Sequence, residues 1–133
     1  MSPLIANDTY RPPFPFRQRH LATSLPTLLR QVPDPGWERC RVTLPDGDFL
    51  DLDLAGFGAA LGRPVVVLCH GLEGNSDRQY MRGMARAFLG QGWAVAGVNY
   101  RGCSGEPNLK PYSYHSGATG DLQFVTYIGG ALE

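Results

Sequence analysis

The sequence has no excess of either charge: 12 Lys and Arg balance 12 Asp and Glu. A surface built to hold nucleic acid is basic, so this balance gives no support for a polyanionic partner. No apolar run approaches the roughly 20 residues that a membrane-spanning helix needs, so no transmembrane segment is expected. The opening MSPLIANDTYRPPF lacks the basic stretch and apolar run of an export signal. Cysteine is scarce. Cys40, Cys69 and Cys103 are odd in number and form no C-x-x-C, which argues against a disulfide framework and predicts free thiols in a reducing compartment, the cytoplasm. Glycine-rich phosphate loops of the standard spacings are absent, as are internal repeats. Cys69, His70, Cys103 and His115 match no zinc spacing, so no metal is expected. Hydrophobic residues at 43% and charged residues at 18% are those of an ordinary globular chain, and 133 residues suffice for one core.

What is present centres on residues 64–75, PVVVLCHGLEGN. Five apolar residues run without alternation and stop at His70-Gly71. A short apolar run closed by turn residues predicts a strand buried on both faces, as in a parallel sheet flanked by helices. Ligands of open α/β sheets bind outside the carboxyl ends of such strands.

Residues 1–36 are rich in proline and predict an irregular arm packed over the sheet, with Phe14 and Phe16 as its anchors. A short helix fits residues 25–29, with Ser24 as N-cap and Pro26 at the first helical position. The partial α/β domain is expected over residues 37–133. It opens with a hairpin. Residues 38–44 and 49–54 alternate around Pro45-Asp46-Gly47-Asp48, with Leu50, Leu52 and Leu54 on one face and Asp51 and Asp53 turned out. Turn chemistry accounts for Asp46 and Asp48. After the strand at 65–69, an apolar stripe of Met81, Met84, Ala85, Phe88 and Leu89 predicts a helix over 77–91, capped by Asn75 or Ser76 and ended by Gly92. Arg78, Arg82 and Arg86 form a row read as a solvated face. Residues 93–99 predict a parallel strand, completing a βαβ unit. A long loop follows over 100–116, too long for a plain connection. A last helix is expected near Thr119, with Asp121 in its first turn.

A tight turn after a strand can aim a backbone N–H at a developing oxyanion. The alternative reading is a strand-to-helix turn that needs glycine for its backbone angles. Taken together, RHLATSLPTLLR, LPDGDFLDLDLA, VVVLCHGLEGNS, VNYRGCSGEPN and YHSGATGDL resemble the YheT-like group of α/β-hydrolase-fold esterases. The resemblance implies the front half of an α/β-hydrolase sheet: an antiparallel hairpin, then βαβ with parallel strands, in the order 1-2-4-3. It implies a Ser-Asp/Glu-His triad, a small ester or lipid substrate, no metal and no organic cofactor. Carried over by motif position, Leu72 would be the oxyanion donor, with Gly71 beside it. His70 would belong to the HG motif without being the catalytic base, and Arg101-Gly102 would shape the loop beside the site.

No serine of the chain stands in the G-x-S-x-G elbow of that family. The expectation is an N-terminal hydrolase portion, inactive alone. The other reading is a non-catalytic remnant or interaction module that binds a partner chain or lipid. A Cys103–His115 dyad is a lesser possibility. With the strand order above, residues 65–69 would lie at an open edge, through which the chain could self-associate.

Overall fold

The computed structural model describes residues 11–58, 62–115 and 117–129. The chain forms two compact units, Met1–Gln31 and Val32–Glu133. Within the first, one helix, α1, runs over Arg19–Leu29. It starts six residues before the expected 25, so Ser24 is inside it and not its cap. Pro26 removes a single donor, and the residues before it keep their helical bonds. Phe14, expected as an anchor, is exposed.

The second unit is built on a mixed four-stranded sheet. β1 (Glu38–Thr43) and β2 (Phe49–Ala55) form the hairpin, β3 is Val65–Cys69 and β4 is Ala94–Asn99. The spatial order is β1-β2-β4-β3, with β2 antiparallel to β1 and β4, and β3 parallel to β4. This is the expected front half of an α/β-hydrolase sheet. β3 and β4 are joined through α2 (Gln79–Gly90), and α3 (Thr119–Gly129) follows the long loop.

Two apolar clusters cover the two sides. Leu44, Leu50, Leu52, Val98 and Tyr100 pack with Val125 of α3. Leu68 and Val95 pack with Met81 and Ala85 of α2. Burying each large apolar side chain contributes about 1.5–3 kcal/mol, so α2 is held by the stripe its sequence predicts, except for Met84, which is exposed.

The ends of α2 are set by different means. At its C-terminus the Gly92 N–H donates to Leu89 O and the Trp93 N–H to Phe88 O. Gly92 has φ +81, and the rings of Phe88 and Trp93 meet at 5.5 Å. This is the glycine-ended cap expected, with its apolar clasp. At the N-terminus Arg78 is the cap residue and no side chain caps it. Asn75 and Ser76 are engaged elsewhere: Asn75 Oδ1 accepts from the Asp77 N–H, and the Ser76 hydroxyl donates into the sheet. Nor is the arginine row wholly solvated. Arg82 pairs with Asp77 and donates to Val32 O, and Arg78 donates to Glu73 O.

The expected outward turn of Asp51 and Asp53 is corrected. They do face away from the leucines, yet both are buried. Their partners stand directly across the hairpin, where Arg39 and Arg41 grip Asp53 and Asp51 through paired bonds of 2.8–3.0 Å. The loop after β4 completes the cover, since Ser104 O accepts from Arg39 and Glu106 pairs with Arg41.

Candidate functional site

The polypeptide leaves β3 at His70, which is buried. Its Nε2 accepts the Tyr100 N–H at 3.3 Å, and its Nδ1 lies 2.8 Å from Gly71 O. Because Nε2 accepts, Nδ1 is the nitrogen carrying hydrogen, and it donates to that carbonyl. The imidazole thus ties the ends of β3 and β4 together, with backbone groups occupying both ring nitrogens.

The next four residues form a turn closed by the Gly74 N–H donating to Gly71 O at 3.0 Å. Glu73, its third residue, has φ +53. A Cβ on Gly74 would sit 2.9 Å from Gly71 O and 3.1 Å from His70 Cβ, so only glycine fits there. The N–H groups along the turn are disposed unequally. The Gly71 N–H donates to the Tyr80 hydroxyl at 2.8 Å, and the Glu73 N–H donates to the Tyr114 hydroxyl at 2.7 Å. Between them, the Leu72 N–H has no partner among the described residues, and Leu72 is 86% exposed. Beside this turn lies a cavity of about 240 Å³, whose lining includes Leu72, Tyr100, Tyr114, His115 and Leu122.

The cavity wall is aromatic. Tyr100 and Tyr114 stack at 4.8 Å, and His70 meets both edge-on. Burial, and next the Cys69 thiol, push the Tyr100 hydroxyl well above its ordinary range, so it stays protonated. The Cys103 thiol is likewise pushed up by burial, against the Tyr114 hydroxyl, which pulls it down. A nucleophilic thiol needs the opposite shift. His115 Nδ1 accepts the Gly117 N–H in its own turn, so the two groups of the dyad reading are each otherwise engaged.

Strand β3 thus runs into a glycine turn whose Leu72 N–H has no partner among the described residues, beside an apolar cavity. The family model for the α/β hydrolase fold matches residues 64–126, which contain the turn, α2, β4 and the long loop. The chain belongs to the α/β-hydrolase superfamily. It is 43% identical over 112 residues to the protein of Escherichia coli (strain K12) named as esterase YheT, a match covering 82% of this chain and 32% of that protein. It is 33% identical over 126 residues to the embryogenesis-associated protein EMB8 of Picea glauca, covering 86% of this chain and 28% of that one. An abhydrolase domain-containing protein of Dictyostelium discoideum is 35% identical over 83 residues, covering 61% of this chain and 21% of its own length. The chain therefore spans about a third or less of the curated relatives it matches. No solved structure matches it.

In this α/β-hydrolase chain the turn is anchored by polar groups that sequence reasoning assigned otherwise. Ser76, read as a helix cap, has its hydroxyl on Asp53 and on Asn99 Oδ1, and its N–H donates to the same Oδ1 at 3.0 Å. Asn99 Nδ2 donates to Asp53 Oδ2 at 2.8 Å and to Asp51 O at 3.2 Å. Burial alone would raise the Asp53 carboxyl, but Arg39, Ser76 and Asn99 together hold it below the ordinary carboxylate range. The turn is thereby fastened to β2 and β4 behind it. The signal was in the sequence: Arg-x-Arg on β1 and Asp-x-Asp on β2 fall in register once the hairpin turn is fixed.

Arg101, expected to shape the loop beside the site, is 2.6 Å from Asp46, 3.2 Å from Asp48 and 2.9 Å from Asp121. It pins the hairpin turn to the first turn of α3, facing a separate cavity of about 440 Å³. Asp48, assigned to turn chemistry, also accepts from Asn108 and the Leu109 N–H, so it fixes the long loop as well as its own turn.

Proposed function

We propose that this chain supplies the oxyanion-hole side of a carboxylic ester hydrolase acting on small esters or lipid esters. The observation that carries the reading is the Leu72 N–H, without a partner among the described residues and set between two occupied neighbours, on a residue that lines an aromatic cavity. In this mechanism a serine Oγ attacks the ester carbonyl, and its proton passes to a histidine oriented by an Asp or Glu. Negative charge gathers on the carbonyl oxygen. The Leu72 N–H stabilises it, together with the N–H of the residue after the nucleophile. None of the chain's serines stands in G-x-S-x-G, so the triad comes from polypeptide outside these 133 residues. His70 shapes the turn and transfers no proton, because both of its nitrogens are bonded to backbone. The three thiols stay reduced, in the cytoplasm. By itself the chain turns over no ester.

The test is hydrolysis of a short-chain p-nitrophenyl ester by the purified chain, with Cys103→Ala alongside. No turnover in either is expected. Turnover surviving Cys103→Ala would refute the assignment of the nucleophile to other polypeptide. Turnover lost in that variant would install the Cys103–His115 dyad instead.

We also propose that the free edge of β3 pairs with a further strand. β3 bonds to β4 on one side only, and it carries no charged residue.

A further inference from the structure

We infer that Tyr114 is a positioning residue that locks the turn in its positive-φ form, its hydroxyl meeting both the Glu73 N–H and the carbonyl of the Gly71–Leu72 peptide that carries the Leu72 N–H; the link to catalysis rests on the reading above. Glu73 is the only described non-glycine residue with positive φ, +53, a conformation that L side chains seldom adopt unless something compensates. Arg78 donates to Glu73 O and the Gly74 N–H closes the turn on Gly71 O, but the contact on the Glu73 N–H, the group that the sign of φ directs, is the Tyr114 hydroxyl, which accepts it at 2.7 Å and stands 3.5 Å from Gly71 O. Rotating the Leu72–Glu73 peptide to the ordinary turn, with Glu73 at negative φ, would swing this N–H away from the hydroxyl. Tyr114 is itself fixed by stacking on Tyr100, whose N–H is held by His70. The long loop and the turn are therefore one unit. Tyr80 does the same on the other flank by taking the Gly71 N–H, which leaves Leu72 as the donor that faces outward.

The experiment is amide hydrogen exchange by NMR on the 133-residue chain and its Tyr114→Phe variant, which keeps the ring and loses the hydroxyl. Exchange at Glu73 is expected to speed up about tenfold, the effect of one hydrogen bond, while Leu72 exchanges fast in both. Adding Glu73→Gly, which tolerates positive φ, is expected to return the Gly74 and His70 resonances to their original positions. Unchanged exchange at Glu73 would overturn the inference, as would resonances that glycine does not restore, since mere ring packing is blind to that substitution. Should Tyr114→Phe fail to fold, the double variant is expected to fold, and its failure would count equally against the inference. Neither readout uses turnover, so they remain decisive even if the ester-hydrolase reading fails.

Discussion

At the scale of residues, the proposed function turns on a backbone group, that of Leu72. Leu72 is exposed, and in the proposed function its contribution is its N–H. It is the second residue of the turn closed between Gly71 and Gly74, a position where proline is favoured. Leu72→Pro therefore removes the donor while leaving the turn intact. In the hydrolase completed with its serine, kcat is expected to fall by about 10²–10³, with the thermal midpoint nearly unchanged. An unaltered kcat would show that the oxyanion is held elsewhere. The His-Gly signature and its glycines were legible because turn chemistry is local. The groups that leave Leu72 free were not. The hydroxyls of Tyr80 and Tyr114 act across 9 and 41 residues, and Ser76 reaches Asn99 across 23. No periodicity encodes such distances, and a serine just ahead of a helix looks like a cap until its hydroxyl is found facing a strand.

At the scale of elements, the hairpin is where alternation told half the story. It separated the leucines from Asp51 and Asp53, and both faces exist as read, but an alternating pattern cannot tell water from a covering arginine. The consequence is acid sensitivity. The Arg41 bonds, outweighing burial, hold the Asp51 carboxyl below its ordinary range, and Asp53 is also depressed. A depressed carboxyl stabilises the fold fully above its unfolded pKa of about 3.9 and loses that contribution as pH falls through the folded value. Urea unfolding should therefore show a flat midpoint from about pH 7 to 5 and a decline below about pH 4. Asp51→Asn is expected to lower the plateau and shallow the decline. A variant with the same plateau and slope as the original would mean that the pair adds nothing. The arginines are near half-exposed, so solvent screening keeps each contribution small. The drop in plateau comes mainly from replacing the charge-assisted bonds between Arg41 and the buried carboxylate with weaker ones to an amide.

For the whole molecule, the order β1-β2-β4-β3 leaves two edges of unlike character. β1 carries Glu38, Arg39 and Arg41, the kind of charge that discourages strand addition, whereas β3 is VVVLC. The order itself was legible, because an unbroken apolar run demands a parallel neighbour on a covered sheet, and the family resemblance supplies the crossing. Direction along β3 follows from one bond. The Ala94 N–H donates to Pro64 O, so by the parallel pattern Val66 and Leu68 turn their backbone groups to β4, while Val65, Val67 and Cys69 turn theirs outward. Two prolines then separate edge pairing from folding. Val67→Pro removes an outward donor and spares the ladder, whereas Val66→Pro removes a ladder bond. Sedimentation velocity over a concentration series is expected to show the original chain associating and Val67→Pro shifted toward monomer with its circular dichroism retained. Val66→Pro is expected to lose folded signal at every concentration. A chain that stays monomeric throughout would remove β3 as a pairing edge. Association unchanged by Val67→Pro would move the contact to another surface, with Leu72, Tyr80 and Met84 among the exposed apolar side chains to examine.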